Sequence, residues 1–157
     1  MADPMTDASG QLAILTHMKR NWPYYWVSRV NAGYVQVLER RLKPLGLDMP
    51  RWRVLISLYE EEYLSVSQIA EISTMRLNTT TKVVQRMQAD GLITTRISPL
   101  DRRVTQVRLT PEGDVLRVRG LEEANRVLAA SFVDVSADEL AQLNATLEKV
   151  FGQLQRI

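Results

Sequence analysis

"NTTTKVVQRMQADGLITTRISPLDRRVTQVRLT", Asn78 to Thr110, carries two periodicities in one run. In its first part, Thr80, Val83, Val84 and Met87 fall on one side of a helix at 3.6 residues per turn. Asn78, Thr81, Lys82 and Gln85 fall on the opposite side, with Thr79 and Arg86 on its flank. Asn78 is placed to cap this helix, and Gly91 to end it as the glycine just past the last turn. After Gly91 the period drops to two. "LITTRIS" and "VTQVRLT" alternate apolar and polar and are rich in β-branched residues, the pattern of two paired strands. "PLDRR" is their connection, so a hairpin bend gathers two adjacent arginines, Arg102 and Arg103.

The pattern extends upstream. "SVSQIAEIS" opens on Ser65 with Gln68 three residues later, a capping box, and supports a helix of about two turns. A tight link, "TMRL", joins it to the Asn78 helix, so the pair reads as a helix-turn-helix. Followed by a hairpin, it reads as a winged helix. Before it, Asp48 and Pro50 start "LDMPRWRVLISLYEEE", whose expected inner stripe is Trp52, Leu55, Ile56 and Tyr59. Further upstream, Trp26, Val30, Tyr34, Val37, Leu38, Leu42 and Leu45 step by three and four and predict one buried helical face. Pro23 separates this helix from a short one expected over Leu12 to Lys19. Downstream, Thr110-Pro111 starts a long helix, and Ser136 with Glu139 form a second capping box. Leu140, Leu143, Leu147, Val150 and Leu154 then make nearly a heptad seam, with no obvious partner inside so small a wing domain.

The expected fold is mainly α with a small β-hairpin wing. Residues 1–46 form an N-terminal arm and first dimerisation helix, 47–110 the winged helix-turn-helix domain, and 111–157 a long linking helix and C-terminal dimerisation helix. The first and last helices are expected to pair across a homodimer.

Composition excludes several classes. The 157 residues contain no cysteine and one histidine, His17, so no disulfide, thiolate metal site or thiol switch is available. There is no Gly-rich phosphate loop and no plausible catalytic triad, so no enzyme, metal or cofactor is expected. The run Glu60, Glu61, Glu62 reads as a solvated helix end. With no apolar run of about 20 residues and no signal pattern, a cytoplasmic protein without membrane contact is expected. Net charge is only +2, yet Arg76 to Arg108 holds seven basic residues and two acidic ones, a local +5. Such polarisation suits a polyanion.

The exposed rim of the second helix has the residue types that work in a major groove. Gln and Asn pair with adenine, threonine offers a methyl to thymine and a hydroxyl to phosphate, and Lys and Arg reach guanine or phosphate. The helix N-terminal amides, that of Thr79 included, suit a phosphate. A wing beside such a helix brings Arg102 or Arg103 to a neighbouring minor groove or phosphates. The candidate DNA contacts are therefore Asn78, Thr79, Thr81, Lys82, Gln85, Arg86, Arg102 and Arg103. Asp101 has a local task, accepting the turn's amides and holding one arginine. A winged helix that binds protein, without sequence-specific DNA binding, is the competing reading.

At "LDRRVTQVRLTPEG", "LGLDMPRWRVLISL", "SVSQIAEIS" and "NTTTKVVQRMQADGLITTR" the chain resembles the MarR family of winged-helix regulators, over about residues 30–120. The resemblance implies a homodimer on a pseudo-palindromic DNA operator, usually a repressor released by a small molecule, with Asp101 salt-bridged to Arg103. It also implies an effector site among the first helices and the long helix. That region is aromatic: Trp22, Tyr24, Tyr25, Trp26, Tyr34 and Trp52. Trp26, Arg29, Tyr34, Arg51 and Trp52 are the candidate effector contacts, suited to a flat aromatic carboxylate or its thioester. The same aromatics stand at core or dimer-contact spacing, so simple packing is the alternative.

Overall fold

The computed structural model describes residues 18–59 and 62–157. Helix α1 spans Met18–Asn21 and α2 Pro23–Leu42, continued by a short 3-10 turn at Lys43–Leu45. Helix α3 spans Met49–Ser57, strand β1 Leu64–Ser65, α4 Val66–Ile72 and α5 Leu77–Ala89. Strands β2 (Ile93–Ile97) and β3 (Thr105–Leu109) precede α6 (Pro111–Ser131) and α7 (Ala137–Leu154). The chain divides between Glu123 and Ala124 into two compact units. Most of the helix expected from Leu12, and His17, lie outside the described residues. No described helix is long and apolar enough to cross a membrane.

Local chemistry sets the element ends in the first unit. Asp48 caps α3 by accepting the Arg51 N–H at 2.9 Å. Ser65 and Gln68 form the reciprocal capping box on α4, each side chain bonding the other's backbone N–H. Gly91, at φ +74°, takes the left-handed conformation that releases the chain from α5 into β2. The core between α3, α4, α5 and the sheet contains Leu55, Ile69, Met87, Ile93 and Val107, each almost wholly buried.

The hairpin is part of a three-stranded antiparallel sheet, ordered β1-β3-β2. Its register runs from Ile93 opposite Leu109 to Ile97 opposite Thr105, and β1 adds Leu64 opposite Val107. Thr110 and Gly113 lock the hairpin base to α6. Thr110 N–H donates to the Leu92 carbonyl at 3.0 Å, and its hydroxyl donates to the Gly91 carbonyl at 2.7 Å. The same hydroxyl accepts the Gly113 N–H at 3.0 Å. A Cβ on Gly113 would run into the Leu92 carbonyl, so glycine here serves close backbone approach. Farther along α6, Gly120 leaves room for the Trp52 ring, which a Cβ would strike.

Two expected stripes differ from what forms. On α2, Leu38 and Leu42 are buried, but Trp26, Val30 and Tyr34 remain 49%, 61% and 39% exposed. The period marks an apolar face, but only the C-terminal part of α2 is covered within this unit. On α3, Trp52 and Leu55 are buried while Tyr59 is exposed, because the helix ends at Ser57 and the next residues leave its spiral.

In the second unit, α7 is capped by the Ser136–Glu139 box. None of its residues is buried. Leu143, Leu147, Val150, Phe151 and Leu154 are all exposed.

Candidate nucleic-acid interface

Helix α5 presents a sharply two-sided surface. Thr80, Val83, Val84 and Met87 are buried, and Thr80 ties its hydroxyl to the Arg76 carbonyl at 2.9 Å. Asn78, Thr79, Lys82, Gln85 and Arg86 are exposed, and Thr81 is half-buried. The cap lies two residues earlier than the sequence suggests: Arg76, not Asn78, is the N-cap, with extended backbone and no side-chain cap bond. Asn78 is therefore inside the first turn, where its Oδ1 accepts the Thr79 N–H at 2.9 Å. That amide, expected to meet a phosphate, already has a partner. The Thr81 hydroxyl donates to the Leu77 carbonyl at 2.9 Å.

One edge of α5 is cationic. Thr79, Lys82, Val83 and Arg86 line a cleft of about 190 Å³ with Asp48, Pro50 and Arg51. Arg51 Nε stands 3.3 Å from Asp48 and its Nη1 3.7 Å from Asp90, bridging the start of α3 to the end of α5. Lys82 and Arg86 make no ion pair among the described residues.

The wing tip is held by its own bonds. Ser98 N–H donates to the Val104 carbonyl at 2.8 Å, and Val104 N–H to the Asp101 carbonyl at 3.0 Å. Asp101 Oδ1 accepts both the backbone N–H of Arg103 at 3.0 Å and its Nε at 3.2 Å, while Oδ2 accepts Nη2 at 3.3 Å. The Arg103 side chain is still 91% exposed. The brace orients the guanidinium without hiding it. These bonds hold the Asp101 carboxyl below the usual aspartate range, with the Arg103 side chain the larger cause. A depressed folded-state value means the brace is fully present above the ordinary aspartate range and is lost only as pH falls through the lowered value. Arg102 is exposed and has no ion pair among the described residues.

Two other arginines of the basic segment are engaged on the sheet. Arg96 stacks on the Tyr63 ring, 3.5 Å from its centroid, and its Nε donates to Gln106 at 2.9 Å. Arg108 pairs with Glu62 at 3.4 Å. The cations left for a partner narrow to Lys82, Arg86, Arg102 and the braced Arg103, together with Arg76.

The five effector candidates sit in three settings. Trp26, Arg29 and Tyr34 lie exposed along α2, with Trp26 Nε1 donating to the Arg20 carbonyl at 2.9 Å. Partial burial pushes the Tyr34 phenol up, partly opposed by Arg53. Trp52 is buried against Gly120, and Arg51 belongs to the cleft beside α5. Arg51 could not be separated from Trp52 by sequence, since its partners lie three residues before it and far downstream. Sequence reasoning also passed over Leu77 and Leu100, which are 54% and 95% exposed. Their neighbours, the start of a polar helix and a charged bend, were the available signal. Among the described residues, no group of His, Asp or Glu is arranged to hold a metal.

Comparison with known proteins places this arrangement. The MarR family profile matches residues 47–105, the helix-turn-helix and most of the wing. The chain is 42% identical over 140 residues to the HTH-type transcriptional repressor IacR of Pseudomonas putida, covering 88% of this chain and 83% of that one. It is 30% identical over 112 residues to the homoprotocatechuate degradative operon repressor of Escherichia coli, covering 69% and 73%. The fold is similar to that of a mutant MarR from E. coli complexed with operator DNA, with TM-score 0.71, 20% identity and coverage of 92% and 99%. A helix-turn-helix with a braced basic wing, the matching profile and extended identity to a repressor together establish that the chain belongs to the MarR family of winged-helix, DNA-binding transcriptional regulators.

Proposed function

We propose that the chain is a homodimeric repressor that grips a pseudo-palindromic operator and releases it when a small aromatic acid, or its thioester, binds. The observation that carries the DNA part is the set of outward polar and cationic side chains on α5, beside a wing whose Arg103 is held outward by Asp101. Asn78, Thr79, Thr81, Lys82, Gln85 and Arg86 work in the major groove, and Arg102 and Arg103 at the flanking minor groove or phosphates. The uncovered apolar faces of α2 and α7 support the dimer: each is the kind of surface a second copy covers. A two-fold dimer sets its recognition helices about one helical turn apart, roughly 34 Å.

The effector reading rests on chemistry and kinship. Trp26, Tyr34 and Arg29 offer aromatic faces and a cation on α2. Two further candidates, Trp52 and Arg51, act from inside the fold and from the α5 cleft. The E. coli relative's name ties it to degradation of homoprotocatechuate, an aromatic acid. In a thermal-shift screen of aromatic carboxylates and their thioesters, the effector raises apparent stability by a few degrees and weakens operator binding at the same concentrations. A panel in which stabilising compounds leave DNA affinity untouched removes the release mechanism.

Selection from randomised duplexes tests the whole reading. The expected product is an inverted repeat with half-sites one turn apart, bound with a steep negative salt dependence. Recovery of no preferred sequence favours a protein-binding role for the wing domain. With the selected duplex in hand, Gln85→Ala relaxes base choice at one position per half-site more than it lowers overall affinity. An equal loss on all sequences reassigns Gln85 to the backbone.

A further inference from the structure

We infer that the first turn of α5 reads thymine, through the Thr81 methyl and the Leu77 side chain together with the Asn78 amide. The inference rests on operator binding as proposed above and specifies what that helix selects.

Bonds inside the helix have already engaged part of its recognition chemistry. A threonine hydroxyl carries one proton, and that of Thr81 is directed to the Leu77 carbonyl at 2.9 Å. With that proton engaged, what Thr81 adds at this edge beyond a serine is its γ-methyl. Leu77, four residues earlier, lies on the same edge and is 54% exposed at the first helical position. Leucine and a threonine methyl thus form an apolar strip along one edge of an otherwise polar rim. The opposite edge holds Thr79, Lys82 and Arg86, chemistry for phosphate.

Asn78 is restricted in a complementary way. Pairing with adenine needs one donor and one acceptor from the same amide. The Asn78 oxygen already accepts the Thr79 N–H at 2.9 Å, while its NH₂ has no bond among the described residues and keeps both donors. Asn78 therefore favours bases that present acceptors. Gln85 has no hydrogen bond within the described residues and keeps both functions.

One base suits the first turn best. Thymine places an acceptor, O4, beside a methyl group on its major-groove edge. Cytosine opposes the Asn78 donors with its own amino donor and brings no methyl. Guanine accepts from Asn78 but sets polar atoms against the Leu77–Thr81 strip. Adenine brings no methyl to the Leu77–Thr81 strip and sets its amino group against it.

The test replaces thymine by uracil, which removes the methyl and leaves O4. The full-length protein and the selected duplex are used, with each thymine pair exchanged symmetrically in both half-sites. At one symmetric pair, uracil weakens wild-type binding roughly tenfold, about threefold for each methyl removed. Thr81→Ser keeps the hydroxyl bond to Leu77 and reduces that penalty, and the Leu77→Ala/Thr81→Ser double variant abolishes it. The inference is overturned if uracil is tolerated at every thymine of the bound site, or if the double variant retains the full penalty. Failure to select any duplex would instead overturn the operator reading on which it stands.

Discussion

With Arg102 and Arg103 both changed to alanine, operator affinity falls about a hundredfold while thermal stability stays unchanged. Each arginine is expected to supply roughly a tenfold effect, typical of a charge-assisted bond to nucleic acid. Both side chains are exposed, so their removal leaves no cavity. The dependence of log affinity on log salt becomes shallower by about 0.9 for each phosphate no longer neutralised, so by nearly two per chain. Asp101→Asn gives a smaller loss, because Arg103 keeps its charge but loses the ionic brace that aims it. If the double variant binds with unchanged affinity and salt slope, the wing has no part in gripping DNA.

Gly113→Ala destabilises the fold by about 3 kcal/mol, a fall in melting temperature of roughly 10 °C. The cause is steric and local. The added methyl would overlap the Leu92 carbonyl, which also accepts the Thr110 N–H at 3.0 Å. A backbone carbonyl fixed at the base of a hairpin cannot swing aside as a flexible side chain can. Relief requires α6 to move away from β2, and that breaks the Thr110 bonds to Gly91 and Leu92. Thermal unfolding followed by circular dichroism checks this. A variant as stable as the wild type would show that α6 meets the hairpin less closely.

Local signals carried most of the fold. The caps at Asp48, Ser65 and Ser136, the stop at Gly91 and the switch of period after it are short-range chemistry, and each forms as its residues dictate. Strand β1 escaped because two residues have no period; only their pairing with Val107 and Gln106, some forty positions on, makes them a strand. Trp26, Val30 and Tyr34 form an apolar face whose cover is not in the same unit, and periodicity reports the face without naming the cover. Within the interface, the outward rim of α5 and an Asp101 brace on one wing arginine could be read from residue type and spacing, and the family resemblance implied that the arginine is Arg103. What each side chain has left to offer could not. Whether Asn78 caps the helix or spans its first turn depends on where the backbone turns helical, which residue type alone does not fix.

Because the chain has no native cysteine, one introduced at a chosen position can be labelled alone. An iron chelate that cleaves nearby DNA, attached through Gln85→Cys or Arg102→Cys, reports where each site lies on the selected operator. A recognition helix in the groove with a wing beside it requires strand scission within each half-site from position 85. From position 102, scission must fall at the outer flank, and both patterns must repeat about the two-fold centre. Scission no stronger than with free reagent, or spread evenly along the duplex from both positions, would contradict it.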